Sequence, residues 1–549
     1  MEKKLKLDTK YVDALEKVFP EQEPEAVNIP LTALLQETVS FQAAFLLKEE
    51  RSAWGKIKVE TKLPYRLRRV ELVPCAYPCH VKRDQGYLKT EPGLFPDRLS
   101  DIENGKIKYI AGQWHSVWID LEIPSDQHPG IYPVAVIFMD EEGNELSRVT
   151  KELSVIGAIL PPLPIRHTEW FHADCLADFY HVEVWSDEFW EIMEEFLSLA
   201  AKRDCNMILT PMFTPPLDTE EGGERTTIQL VDIKVLDGRY HFDFTKFTKF
   251  IKMCQRKGFQ YFEMSHLFTQ WGVKAAPKIM ATVNGVYQRI FGWDTPAVGG
   301  SYEEFLQFYL PELTEKLKEL GIADKSYFHI SDEPGKDHLE NYRKAKEVVT
   351  PYLEGFQMMD ALSDYSFYES GLVSQPVCAT DHIEPFLEHQ TPNLWSYYCT
   401  AQCVDVSNRF LALPSYRNRI YGLQVYKYGI KGILHWGYNF YNSEYSKRHI
   451  NPYETTDCDY AFPGGDAFLV YPKKDGTPEE SIRMMVHYQA MTDIRAMYLL
   501  ERKIGRKAVL ELAEEGMKEA ITFSIYPHES EFCLWMRNRI NNKLAEVLT

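Results

Sequence analysis

The strongest constraint on this chain is a repeating order that begins after residue 165. Short β-prone runs follow one another: "HTEWFHAD", "NMILTPMF", "QYFEMSHLF", "SYFHISDE", "GFQMMDAL", "QPVCATD", "NLWSYYC" and "GILHWGYNF". Helical patterns lie between several of them. Asp187–Arg203 puts Phe189, Met193, Phe196 and Leu197 at helical spacing, and Tyr302–Leu320 and Leu339–Val349 behave alike. Eight strands alternating with helices over about 330 residues predict a (β/α)8 barrel, which spans roughly 250 residues before insertions. The extra length is assigned to loops, notably Thr214–Tyr240 and Trp271–Gly300. A doubly wound open sheet is the alternative fold, but no GxGxxG or Walker loop marks a nucleotide site.

Upstream the pattern is different. "TVSFQAAFLL", "WHSVWIDLEI" and "GIYPVAVIFMD" are short β-rich runs separated by turn signals, and "DEEGNELSRVTKELSVI" reads as a hairpin turn followed by a strand. Residues 1–160 are therefore expected to form an N-terminal β-sandwich domain. A proline-rich linker, "LPPLPIRH", leads into a barrel domain over 165–502. Residues 503–549 are expected to be a short extension. There Phe532, Trp535, Met536 and Ile540 fall at helical spacing, as in a terminal helix docking on the barrel.

Composition narrows the partners. Hydrophobic residues make up 45% and charged residues 26%, so a core of normal size can be buried. The formal charge of −19 repels phosphate backbones and argues against nucleic acid. Charges interrupt the N-terminal "MEKKLKLDTKYVDALEKVF" too often for a secretory signal, and no segment approaches the roughly 20 apolar residues of a membrane span. The expectation is a cytoplasmic protein with no membrane partner. Ten cysteines include Cys75/Cys79 and Cys399/Cys403, each pair with three residues between, and none sits in a zinc-ligand pattern. They read as reduced, small hydrophobic residues.

Within the fourth strand run, "SYFHISDEPGKDHLE" sets Asp332 beside Glu333. Asp, Pro and Gly are common turn residues, so a surface turn is one reading. The other is a catalytic acid pair, because a barrel's active site lies at the C-terminal ends of its strands. Strand alternation turns Phe328 and Ile330 to the helices and His329, Ser331 and Glu333 inward. Pro334 is expected to hold Glu333 near extended geometry, while the curling strand end lets both carboxylates reach the mouth.

"HLFTQWG", "APKI", "FGWDT", "HISDEP", "LHWGYNFY" and "PGGDAFLVYP" together resemble glycoside hydrolase family 123 and its relatives, over most of residues 165–500. The resemblance implies an exo-acting β-N-acetylgalactosaminidase with Asp332 and Glu333 as its catalytic pair. It implies substrate-assisted retention, in which the sugar's own 2-acetamido oxygen attacks the anomeric carbon and gives an oxazoline-like intermediate. Glu333 would then serve as acid and base, and Asp332 would hold the acetamido N–H. No cofactor is implied. Two other readings stay open: a conventional glycosidase using Glu333 and a carboxylate of another strand, such as Asp360, and a non-catalytic carbohydrate-binding barrel.

Sugars present apolar C–H faces to aromatic rings. The ends of the seventh and eighth strands bring Trp395, Tyr397, Tyr398, Trp436 and Tyr438 towards the mouth, with Tyr398 and Trp436 the leading sugar ligands. His172 and Asp174, His266, and Asp381–His382 end the first, third and sixth strands. They are read as hydrogen-bonding residues that shape a sugar pocket rather than as metal ligands. Asp466, in "PGGD", is read as a turn residue with a substrate role left open.

Overall fold

The computed structural model describes residues 5–548. Two five-stranded sheets come first. One orders Leu7–Asp13, Glu37–Leu47, Trp114–Ile123, Tyr65–Cys75 and Gly93–Asp101, all antiparallel. The other orders Leu31–Leu35, Glu145–Ile159, Gly130–Asp140, Ala53–Glu60 and Lys106–Tyr109, with only its first pair parallel. Their facing sides share a core that includes Phe41, Phe45, Val117, Ile119, Val136 and Phe138. Ala53–Glu60 buries every second residue, as a strand with one wet face must. Gly55 is fixed by close approach: a Cβ there would lie 2.2 Å from the Tyr109 ring and 2.4 Å from the Met139 carbonyl.

Eight parallel strands then close into a barrel, the first pairing with the eighth. They are, in order, Arg166–Glu169, Met207–Thr210, Tyr261–Met264, Ser326–Phe328, Gln357–Leu362, Gln375–Ala379, Trp395–Tyr397 and Gly432–His435. All eight predicted runs supply a strand. Asp187–Lys202, Ser301–Glu319 and Leu339–Val349 are helices within a residue or so of the sequence reading. Ser186 caps the first of these by accepting from the Phe189 N–H. The two long insertions are not plain loops. Asp232–Leu236 and Arg239–Asp243 join Ile279–Val283 and Val286–Phe291 in one four-stranded sheet.

Trp395 is buried low in the barrel, among Met207, Tyr327, Met359 and Val377. Its ring lies over Gly432, where a Cβ would come within 2.0 Å of it. This corrects its assignment to the sugar site: it fills the core. Tyr438 is likewise buried and donates to the Phe196 carbonyl at 2.9 Å.

Ser530–Leu548 is the expected terminal helix, and it buries Phe532, Met536, Ile540 and Leu544, while Trp535 is exposed. It docks on the sandwich as well as on the barrel side. Asn538 and Asn541 bond Pro30 and Thr32, and Arg537 bridges Glu37 (2.6 Å) and Asp493 (3.0 Å). Among the described residues no helix is long and apolar enough to cross a membrane.

Buried charge fastens the sandwich to the barrel. Glu480 receives Arg66 at 2.9 Å, Arg68 at 2.5 Å and Arg203 at 2.5 Å. Burial alone would raise the Glu480 carboxyl pKa, but Arg203, Arg68 and Arg66 outweigh it and hold the group well below the usual range. Removing one partner of a buried ion pair typically costs about 3–5 kcal/mol. Glu480→Gln is therefore expected to lower stability by about that much in urea unfolding. Glu23→Gln, which breaks only an exposed pair with Lys10, should change it by about 0.5 kcal/mol or less.

Candidate active site

A cleft of about 110 Å³ opens at the C-terminal ends of the barrel strands. Its walls include Trp170, Trp271, Tyr397, Trp436 and Phe462, and three carboxylates face it: Asp218, Asp332 and Glu333. Period-two alternation would send Asp332 and Glu333 to opposite sides. The backbone prevents this, because Glu333 has φ +43° and is left-handed rather than extended. That corrects the expectation drawn from Pro334. An L-residue in this region costs roughly 1–2 kcal/mol, so the packing around the turn must hold it there.

The turn rests on a buried network. His329 bonds Glu263 at 2.6 Å through Nε2 and Asp360 at 3.1 Å through Nδ1. Burial opposes a charge on the ring, but the bonds to Asp360 and Glu263 prevail and push its pKa up to about 10. Tyr342 donates to Asp360, and the Ile330 N–H does so at 3.1 Å. Glu263 also accepts from Thr168 and from the Trp170 indole, each at 2.7 Å. One imidazolium thus ties the first, third, fourth and fifth strands beneath the acid pair. Asp360 is fully engaged here, below the cleft.

A second network positions Trp436. Its indole donates to Asp466 at 2.9 Å, and His435 Nε2 lies 3.3 Å from the other Asp466 oxygen. His435 Nδ1 faces Arg409 at 2.6 Å, and Arg409 grips both oxygens of Glu169, at 2.7 and 2.9 Å. Gly437 makes this possible, since a Cβ would lie 2.6 Å from the Asp466 and Ala467 carbonyls. Asp466 is therefore a buried anchor for a cleft tryptophan.

Glu333 is open to solvent through the cleft mouth and surrounded by protein elsewhere. The Tyr397 hydroxyl donates to its Oε1 at 2.6 Å. Burial raises the Glu333 pKa, the Tyr397 bond opposes this, and Asp381 and Asp466 add to the rise. Asp332 is raised further, by burial and then by the charge of Glu333, with His329 opposing. Two such carboxyls hold a proton between them more readily than either would alone. Burial lifts Asp218 to about 6.

The remaining candidates lie behind or beside the cleft. His172 is buried, faces the Trp436 carbonyl at 2.8 Å, and accepts from Arg225 at 3.1 Å; burial and then Arg225 push its pKa down to about 3. Asp174 is the bidentate partner of the same arginine. His266 is buried, stacked on His329 at 4.3 Å and edge-on to Trp170 at 5.2 Å. Asp381 sits at the rim, accepting from Gln402 at 2.9 Å and paired with His382 at 2.8 Å. Tyr398 points out of the barrel, its hydroxyl 3.4 Å from His487. That corrects the preference for it, since alternation puts its neighbour Tyr397 inside. Trp170, Asp218, Gln270, Trp271, Thr400 and Phe462 were not picked out from the sequence. Trp271 did stand in a quoted motif, "HLFTQWG", and Trp170 in the first strand run.

Among the described residues, two buried groups have donor atoms close enough to share an ion: His266, His329 and Asp360, and His167, Glu169 and His487. In the first, both His329 nitrogens are committed to carboxylates. In the second, Arg409 already takes both Glu169 oxygens.

The sequence model for the glycoside hydrolase 123 catalytic domain matches residues 170–500. The chain belongs to glycoside hydrolase family 123. A family 123 glycoside hydrolase from Clostridium perfringens, whose structure was solved to describe glycolipid glycan hydrolysis, aligns over 98% of both chains at 15% identity, with a TM-score of 0.75. That likeness is one of fold. A Parabacteroides merdae β-glucuronidase aligns over 90% of this chain and 52% of its own at 9% identity and a TM-score of 0.29. A Listeria innocua β-glucosidase aligns over 28% and 17% at 14% identity and 0.14. Neither overlap bears on function. No curated protein matches the sequence significantly.

Because the Tyr397 hydrogen bond stabilises ionised Glu333, Tyr397→Phe is expected to raise the pKa of that carboxyl. Infrared titration of the variant, with Glu333→Gln subtracted, reads this directly. An unchanged or lowered midpoint would show that the contact does not govern Glu333.

Proposed function

We propose that this family 123 glycoside hydrolase is a retaining exo-glycosidase that removes terminal β-linked 2-acetamido sugars, with galactosamine-type sugars the leading substrates. One observation carries the reading: two carboxylates adjacent in the chain line the same cleft. Conventional glycosidases use two carboxyl groups across the scissile bond. Adjacent groups serve a different chemistry, in which the nucleophile comes from the substrate.

In that chemistry the acetamido carbonyl oxygen attacks C1 as the bond to the leaving oxygen breaks. Glu333 gives its proton to that oxygen, and Asp332 accepts a hydrogen bond from the acetamido N–H as positive charge develops on the group. Water then attacks C1, Glu333 takes its proton, and the acetamido group is restored. Burial raises both carboxyls, so the pair keeps one proton between them, and a hydrogen bond from the acetamido N–H to Asp332 favours the arrangement with the charge on Asp332 and the proton on Glu333. The aromatic walls suit the apolar face of a sugar ring. Asp360 does not suit the role of a second catalytic carboxylate, since His329, Tyr342 and Ile330 engage it below the cleft.

Aryl 2-acetamido-β-hexosides are expected to be cleaved and their 2-hydroxy counterparts ignored, with a thiazoline mimic of the intermediate inhibiting. Comparable rates on 2-hydroxy sugars would overturn this mechanism. Glu333→Gln should lose about 10²–10⁴-fold, least on aryl groups with low-pKa phenols. Asp332→Asn should slow good and poor leaving groups alike, without rescue by azide. A steep leaving-group dependence in Asp332→Asn and a flat one in Glu333→Gln would reverse the assignments.

A further inference from the structure

The cleft holds a third carboxylate that the proposed chemistry leaves idle. Asp218 lies on the segment after the second strand, at φ +38°. Neighbouring segments clamp it. Its N–H donates to Gln270 Oε1 at 2.7 Å, the Tyr445 N–H donates to its Oδ2 at 3.0 Å, and the Ser446 hydroxyl donates to its carbonyl at 2.7 Å. The clamp orients the side chain, and among the described residues no cation forms a close ion pair with it, Arg225 acting on it only at longer range. Arg225 is spent on Asp174 at 2.7 and 2.8 Å and on the Leu217 carbonyl at 3.0 Å. No Lys, Arg or His lines the cleft among the described residues.

An ionised carboxylate has about four acceptor sites and no donor. Asp218 therefore asks its ligand for O–H or N–H groups. A neutral sugar supplies hydroxyls. A sulfated or carboxylated sugar would bring a further negative charge into a cleft that already holds Asp218 and the Asp332–Glu333 pair, and like charges repel more strongly where water is scarce. Trp271, next to Gln270, is 40% exposed and stands edge-on to Tyr445 at 5.6 Å. It lines the same cleft as the carboxylate.

Taking the cleft as the glycosidase site, we propose that Asp218 is a specificity-determining residue: it accepts a hydrogen bond from a ring hydroxyl of the terminal sugar and excludes sugars that are anionic at that position. This restricts the substrate class to uncharged terminal sugars.

The test compares wild type, Asp218→Asn and Asp218→Ala on an aryl 2-acetamido-β-galactoside and its 3-, 4- and 6-deoxy and sulfated forms. In wild type one deoxy position should cost about 10–100-fold in kcat/KM, the range of a hydrogen bond to a charged group. In Asp218→Ala the same deletion should cost less than about 3-fold, and discrimination against the matching sulfate should narrow by about 10-fold. Asp218→Asn, equal in size, guards against collapse of the segment and should keep part of the deoxy penalty but lose part of the sulfate discrimination. An undiminished deoxy penalty in Asp218→Ala would overturn the proposal. So would azide rescue of that variant, which would make Asp218 a nucleophile. Calorimetric binding of free N-acetylgalactosamine and its sulfates separates this from the hydrolytic reading. A wild-type preference for the neutral sugar that Asp218→Ala loses supports the proposal even if no glycoside is cleaved. Absence of binding or of preference overturns it.

Discussion

A single buried imidazolium underlies the active-site end of the barrel. His329 lies between Glu263 and Asp360, and these carboxylates draw in Thr168, Trp170, Tyr342 and the Ile330 backbone. Four strands of a parallel barrel, otherwise joined by slanted backbone bonds and apolar contact, share one charged knot. Its polarity matters. With His329 charged, one positive and two negative groups are desolvated together, and the hydrogen bonds from Tyr342, Thr168 and Trp170 spread the excess negative charge. The strand can then end at a fixed height, and the Ser331–Glu333 turn begins from a rigid point.

The opposite wall repeats the device with different groups. Arg409 and Glu169 anchor His435, His435 and the Trp436 indole meet Asp466, and Gly437 lets the Asp466 turn lie against the end of the eighth strand. Arg409 is engaged by Glu169 and Arg225 by Asp174. No Lys, Arg or His lines the cleft among the described residues, and burial raises the pKa values of Asp332, Glu333 and Asp218. Rigid, charge-balanced walls around an unbalanced cleft are what a site needs if its acids are to hold protons near neutral pH.

The barrel was legible because each strand lies in a short β-prone run and several of the runs are separated by helices with a clear apolar stripe, a signal that is local. The side a residue faces was legible only where the strand stayed regular. Alternation placed His329 inward, as found. It also placed Glu333 in the cleft, but failed at Asp332, which it turned away and which lines the same cleft beside a residue of positive φ. Tyr397 and Tyr398 are chemically alike and adjacent, so choosing between them required the exact phase of a three-residue strand. Trp395 and Tyr438 looked like mouth aromatics because their strands end there, yet one covers Gly432 and the other reaches a helix carbonyl. Asp218 lay in an irregular segment with no periodicity to read, held by partners more than 50 and 200 residues away. The insertions' shared sheet was hidden for the same reason, since its strands come from two separate loops.

The left-handed residue explains why two like charges sit side by side in the chain. On a regular strand end, adjacent carboxylates face opposite sides and at most one enters the cleft. Placing both in one cleft by regular geometry would need a spacing of two residues, which lengthens the reach between them and sets the second a full pleat, about 6.5–7 Å, further along. A change of φ sign at Glu333 folds the second carboxylate back beside the first without that offset. The conformational cost, roughly 1–2 kcal/mol, is small against the barrier lowering that a positioned acid provides. Conventional glycosidase chemistry gains nothing from such closeness, because its two carboxyls must stand on opposite faces of the anomeric carbon. Chemistry in which one group protonates the leaving oxygen and the other steadies a neighbouring acetamido group gains directly. Strain at this turn is thus better accounted for by the proposed substrate-assisted reaction than by the requirements of a surface turn, which any Gly or Asn at position 333 would meet at lower cost.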